Sequence, residues 1–214
     1  MRNGAFTAGL AVLVVTLLAV GGPPLGLSPW WITLLVALSL GGLTLDAGRF
    51  GGRGGHLLAE ALPGGSERLR RIAIHEAGHA IAADADGMPV LRVLVGSLAC
   101  WRAGLSSGGC TEFPPPASAK LPAEELRRWS RVLQAGMVAE ECVYGDSQGG
   151  ADDRALLGRL WGLSGFDAGS AQRELRRARR EVGQLLRANR ASLESEAQRL
   201  LDSAPRIGRP DPEA

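Results

Sequence analysis

Two of the three histidines stand four residues apart with a glutamate between them, in His75-Glu76-Ala77-Gly78-His79. This is the pattern HExxH, and at the chain's own composition only about 0.0025 chance matches are expected. On a helix, residues i and i+4 are about 40° apart around the axis, so both imidazoles can reach one zinc ion. Glu76 lies one residue further round than His75. There it is too far round to be an equivalent ligand, but close enough to take a proton from a water whose pKa the metal has lowered. A satisfied pair of core histidines is the alternative, and it leaves the intervening Glu without a reason. The flanking Ala77, Gly78, Ala80, Ala82 and Ala83 are small, which lets other backbone pack closely on a buried helix.

A zinc site of this kind needs a third protein ligand. The extended pattern HExxHxxGxxH is excluded, because Ala82 and Ala85 stand where Gly and His are required. His56 is the one histidine left, upstream in a glycine-rich linker, so a carboxylate is expected. Candidates are Asp84, Asp86, Glu140, Glu141, Asp146, Asp152 and Asp153. Asp84 and Asp86 end the same helix and cannot fold back over the ion, which leaves the stretch AEECVYGDSQGGADD. Cys100, Cys110 and Cys142 form no CxxC pair, and their odd number fits a reduced compartment better than a disulfide framework. Cysteine ligation of zinc is not expected.

The elements that must position these groups are mostly helical. Ser66, a good N-cap, opens a segment that carries the HExxH residues and stops at Gly87. Pro89–Val95 is short and rich in β-branched residues and predicts a strand, followed by glycine-rich turns and a second extended stretch near Gly109–Phe113. Pro114, Pro115 and Pro116 end it. A helix is predicted from Pro122 to Gly145, a short one from about Asp153 to Leu163, and a long one from Ala168 to about Ser203. The fold class is therefore mainly α, with a small β hairpin or sheet. The last helix has 8 Arg and 5 acidic residues between Arg173 and Asp202, and their interleaving reads as a solvated face rather than a nucleic-acid surface.

The 214 residues carry a net charge of +2, which gives no bulk reason to expect nucleic acid. That balance hides two regimes, since no charged residue occurs between Asn3 and Leu45. Residues 5–22 and 29–45 are apolar runs, each near the length of about 27 Å that spans a bilayer core as a helix, and GGPPLGLS between them supplies the turn. Residues 1–46 thus read as a transmembrane helical hairpin, 47–65 as a Gly-rich linker, 66–203 as the catalytic domain and 204–214 as a disordered tail. A cleaved signal peptide is the alternative for the first run. Trp30 and Trp31 open the second run, where interfacial aromatics belong. Arg2 before the hairpin and Arg49, Arg53, Arg68, Arg70 and Arg71 after it place both ends on the cytoplasmic side of the cell membrane.

From about Arg71 to Leu201 the chain resembles the peptidase domain of FtsH-type membrane-bound zinc metalloproteases. The resemblance rests on HEAGHA at His75–Ala80, on GMVAEECVYG at Gly136–Gly145 against that family's GGRxAEExxxG helix, and on SQGGADD at Ser147–Asp153 against its STGASND segment. Weaker echoes are GCTEFP at Gly109–Pro114, resembling an edge segment GxTxxxP, and LLRANRASLESEAQRLL at Leu185–Leu201. The resemblance implies a zincin peptidase fold in which His75, His79 and Asp153 bind zinc, Glu76 is the general base, and Glu140 orients the ligands from behind. It implies protein or peptide substrates and family members that form homo-oligomeric rings. The family's AAA ATPase module is missing: only a short linker separates Leu45 from Glu67, and the single lysine, Lys120, lies in no Walker A loop. The expectation is a membrane-anchored, ATP-independent zinc metalloendopeptidase, a separate ATPase partner being the other route to unfolded substrate. The alternative is a non-catalytic membrane adaptor that keeps the peptidase fold and pairs with a protease or ATPase.

Overall fold

Over the described residues the apolar N-terminal stretch forms a helix, a tight turn and a second helix. The computed structural model describes residues 15–26, 28–50, 57, 60 and 63–205, and the chain divides into two units, Met1–Gly55 and His56–Ala214. In the first unit, residues 15–21 form a helix, α1, followed by a 3₁₀ turn at Pro23–Leu25 that ends on Gly26 at φ 78°. Helix α2 (Pro29–Phe50) follows. Its hydroxyls are satisfied inside the helix: Thr33, Ser39 and Thr44 each donate to the carbonyl four residues back. Among the described residues, α2 is the one helix long and apolar enough to cross a membrane, over Pro29–Asp46, and Trp30 and Trp31 at its start are exposed. The expected first span at 5–22 lies mostly outside the described residues. The expected linker gives way to helix at its beginning, because α2 continues unbroken through residues 47–50, and His56 lies outside the described residues.

The second unit is mainly helical with one two-stranded sheet. Helix α3 (Gly65–Ala85) carries the HExxH residues, and ends before Gly87, whose φ of 62° suits glycine. Its cap lies two residues earlier than the sequence suggests, at Gly64 in a left-handed conformation, so Ser66 is inside the helix rather than its cap. Strands β1 (Arg92–Val95) and β2 (Gly109–Glu112) pair antiparallel with Arg92 opposite Glu112, and the two side chains close a bidentate ion pair at 2.7 and 2.8 Å. Between the strands, where only turns were expected, Ser97–Arg102 forms a short helix, α4. Its first turn is tied by Glu60, whose carboxylate accepts from the Ser97 backbone N–H at 2.8 Å and from its hydroxyl at 2.5 Å.

Helix α5 (Ala123–Tyr144) is the centre of the unit, packing on α3 along one face and on α7 (Ala168–Ala188) along another. It begins after Pro122 and ends at Gly145, whose φ is 81°. Helix α6 (Ala151–Leu163) lies against it, and the buried Trp161 indole N–H donates to the Ser130 hydroxyl at 3.0 Å. The long terminal helix expected from Ala168 to Ser203 is two helices, α7 and α8 (Arg190–Ser203), broken at Asn189 with φ −110° and ψ 28°. The break has a tertiary cause, since α7 packs on α5 whereas α8 packs on α3, and one straight rod cannot serve both. Ala204, expected in a disordered tail, is buried in the core, and 206–214 lie outside the described residues. Two arginines of α7 meet acids: Arg177 pairs with Glu181, and Arg179 with Glu141 of α5.

Candidate metal centre

The meeting of α3 with α5 is unusually close because of what the facing residues lack. A Cβ at Gly78 would lie 2.6 Å from the Ala139 Cβ and 2.7 Å from the Ala135 carbonyl oxygen, so glycine and two alanines set the approach of the helices. His75, Glu76 and His79 are thereby buried, at 8%, 5% and 3% exposure. The two imidazole rings lie edge to face with centroids 4.8 Å apart.

Each ring is oriented from behind. The Glu140 carboxylate on α5 accepts from His75 Nδ1–H at 2.6 Å, and the Val132 carbonyl accepts from His79 Nδ1–H at 2.8 Å. A carboxylate or carbonyl on Nδ1 fixes the tautomer and leaves Nε2 for a metal. On the other side Asp153, in the first turn of α6, brings Oδ2 to 3.1 Å from His75 Nε2 and 3.5 Å from His79 Nε2. One donor atom from each of His75, His79 and Asp153 lies within 4.8 Å of the others, and this group can hold a metal ion.

The donor spacing fits such an ion. Two ligands bound at about 2.0–2.1 Å with a tetrahedral angle lie about 3.3–3.4 Å apart, between the two N···O separations seen here. Space is kept open on the α5 side by Gly136, where a Cβ would lie 2.4 Å from His75 Nε2 and 2.6 Å from His79 Nε2.

The other carboxylates weighed from the sequence go elsewhere. Glu140 touches His75 on Nδ1, the side away from Asp153; Asp146 pairs with Arg71, Glu141 with Arg179 and Asp86 with Arg131. Asp84 and Asp152 are exposed. Burial pushes the Cys110 thiol up to about 12, so it stays protonated beside the site, and all three cysteines are free.

Glu76 faces β2, and its Oε2 accepts from the Thr111 hydroxyl at 2.7 Å. Burial raises the pKa of its carboxyl, against the pull of the His79 and His75 rings and of that hydroxyl. Thr111 is a site residue that sequence reasoning passed over as part of an edge segment. Substitution of Thr111 by valine, which keeps the shape and removes the donor, is expected to raise the pKa of the Glu76 carboxyl further and to leave metal affinity unchanged. Infrared titration of the carboxyl band beside a metal titration checks this.

Electrostatics bind the cluster together in the absence of metal. Burial opposes charge on His75, but hydrogen bonds to Asp153 and Glu140 outweigh it and raise the imidazole from 6.5 to about 10. Burial likewise works against ionisation of Asp153 and Glu140, yet the histidines, and for Glu140 the backbone N–H groups of Gln148 and Gly149, hold both below the usual carboxylate range. For the metal-free fold, the His75 contribution is complete below pH 6.5 and is lost as pH rises through about 10. A metal must displace that proton from Nε2. Metal affinity is therefore expected to rise about tenfold per pH unit above neutrality, with release of about one proton per ion, measurable by calorimetry in buffers of different ionisation enthalpy. A pH-independent affinity would contradict it.

Arg71, Val132 and Gly136 also belong to this centre. For two of them a signal existed: Val132, Gly136 and Glu140 recur every fourth residue on one face of α5, the face turned to His75 and His79. No protein-family model matches this chain, and no curated protein matches it.

Proposed function

We propose that the chain is a membrane-anchored zinc metalloendopeptidase of the FtsH type that works without an ATPase of its own. The observation that carries the reading is the convergence of His75, His79 and Asp153, whose Oδ2 lies 3.1 and 3.5 Å from the two Nε2 atoms, with Glu76 buried beside them. Zinc in that position would supply a water of lowered pKa and polarise the scissile carbonyl. His75, His79 and Asp153 would hold the ion, while Glu140 and the Val132 carbonyl keep both rings oriented. Glu76 takes the water's proton on its carboxylate and hands it to the leaving amide nitrogen. Thr111 steadies Glu76 through both transfers.

Helix α2 is the anchor in this reading, and the peptidase unit is cytoplasmic. The substrates are unfolded proteins or peptides, presented without unfolding by this chain. An adaptor that merely keeps the fold has no use for a Glu76 held by its own hydrogen bond at the metal centre, which favours catalysis.

The test uses the whole chain in detergent micelles. Metal analysis is expected to give about one zinc per chain, bound through the three donors named. Cleavage of an unstructured protein is expected to stop with a chelator and return with zinc. Absence of bound zinc, or cleavage indifferent to its removal, overturns the reading.

A further inference from the structure

Arg71 lies one helical turn before His75 on α3, and its guanidinium reaches in three directions. Nη1 donates to Glu140 Oε2 at 3.2 Å, Nη2 donates to Asp146 Oδ1 at 2.9 Å, and the planar group sits 4.3 Å from the centroid of the Tyr144 ring. Nη1 also approaches the Asp146 carbonyl oxygen at 3.4 Å. These partners are not one surface patch. Glu140 is 1% exposed and holds His75 Nδ1, Tyr144 closes the last turn of α5, and Asp146 opens the segment 146–150 that leads into α6 and Asp153.

The same segment is gathered on Glu140 from its own side. The Gln148 N–H donates to Glu140 Oε2 at 2.8 Å and the Gly149 N–H to Oε1 at 3.2 Å. One buried carboxylate thus receives a histidine, two backbone amides and an arginine, and the arginine ties it to Asp146. A buried carboxylate is stable only when so matched, and an arginine fork can span two carboxylates while stacking on a ring. A lysine ammonium is a single point of charge and cannot do all three.

We propose that Arg71 is a positioning residue for the metal centre: through Glu140 and Asp146 it holds the segment that delivers Asp153 in register with His75 and His79. It touches neither the ion nor substrate. The inference rests on the metal-site reading and adds a residue to it that lies outside the HExxH pattern and outside the segments on which the family resemblance stands.

The experiment is a metal titration of the full chain in micelles, stripped with chelator and reloaded with zinc against a chromophoric competitor, and with cobalt for its visible spectrum. Arg71→Met keeps the aliphatic stem and removes the fork. Its zinc dissociation constant is expected to rise about 10- to 100-fold, with an altered cobalt spectrum, and Arg71→Lys is expected to recover only part of the loss. Wild-type affinity and an unchanged cobalt spectrum in Arg71→Met overturn the inference, including when the melting temperature of its metal-free form has fallen, since that pattern marks a scaffold role alone. Should Arg71→Met fail to fold, Asp146→Ala breaks one arm at a side chain that is 59% exposed. About a threefold rise in the zinc dissociation constant is then expected, and no change overturns the inference. A wild-type chain that takes up neither metal overturns the metal-site reading and this inference together; a wild type that binds while the variants match it overturns this inference alone.

Discussion

Alanine in place of Gly136 is expected to disable the metal centre while leaving the elements of the fold intact. The added methyl group would lie 2.4 Å from His75 Nε2 and 2.6 Å from His79 Nε2, both far inside van der Waals contact. Neither ring can turn aside freely, because His75 is held by Glu140 and His79 by the Val132 carbonyl. Helix α5 cannot retreat freely either, since α7 packs on another of its faces. The strain falls on the convergence of the two nitrogens, so zinc affinity should drop by at least about 100-fold, as for direct damage to ligand geometry. Overpacking of this size costs about 1–3 kcal/mol of stability, visible as a lower melting temperature of the metal-free chain. Gly158→Ala on α6 is the matched control. A Cβ there meets nothing within 4 Å, so the variant should bind zinc normally and gain about 0.5–1 kcal/mol from helix propensity. Normal zinc binding by Gly136→Ala would show that the α5 face is not part of the centre.

How much of this was legible in the residues themselves depends on the range of the interaction that fixes each feature. His75, Glu76 and His79 are tied by helical spacing within one turn, and that spacing survives folding unchanged. Helix ends at Gly87 and Gly145 were readable for the same reason, because each needs a positive φ. Asp153 is 78 residues from His75, and periodicity could narrow the third carboxylate only to a stretch; the resemblance to a family picked the residue, and the fold brings it to the two histidines. Glu140 followed the same route. The break at Asn189 was invisible because the residues on either side are good helix formers and the two halves part only to pack on different helices. Helix α4 was hidden for a related reason: Ser97–Arg102 is too short to show a period, and its start is fixed by Glu60, 37 residues away. Arg71 read naturally as one of several positive charges flanking a membrane segment, since nothing local indicates that its partners are Glu140 and Asp146.

Exchange of Glu76 for glutamine separates chemistry from construction at this centre. The amide matches the carboxylate in shape and can still accept from Thr111, so the buried position stays filled and its 2.7 Å hydrogen bond stays made. What the amide cannot do is take a proton from water. Zinc affinity should stay within about threefold of wild type, because Glu76 is not one of the three donors that define the site. Peptide cleavage should fall by about 10²- to 10⁴-fold in kcat, the usual worth of a positioned general base. Glu76→Asp asks the complementary question, since it keeps the base and withdraws it by one methylene. A displacement of about 1 Å can cost about 100-fold, so aspartate should be severely impaired although fully able to accept a proton. The two variants together define the requirement: a carboxylate, at the reach that Thr111 sets from β2. A glutamine variant that cleaves as well as wild type would remove Glu76 from the mechanism. A glutamine variant that loses zinc as well as activity would place Glu76 among the residues that build the site rather than the one that works it.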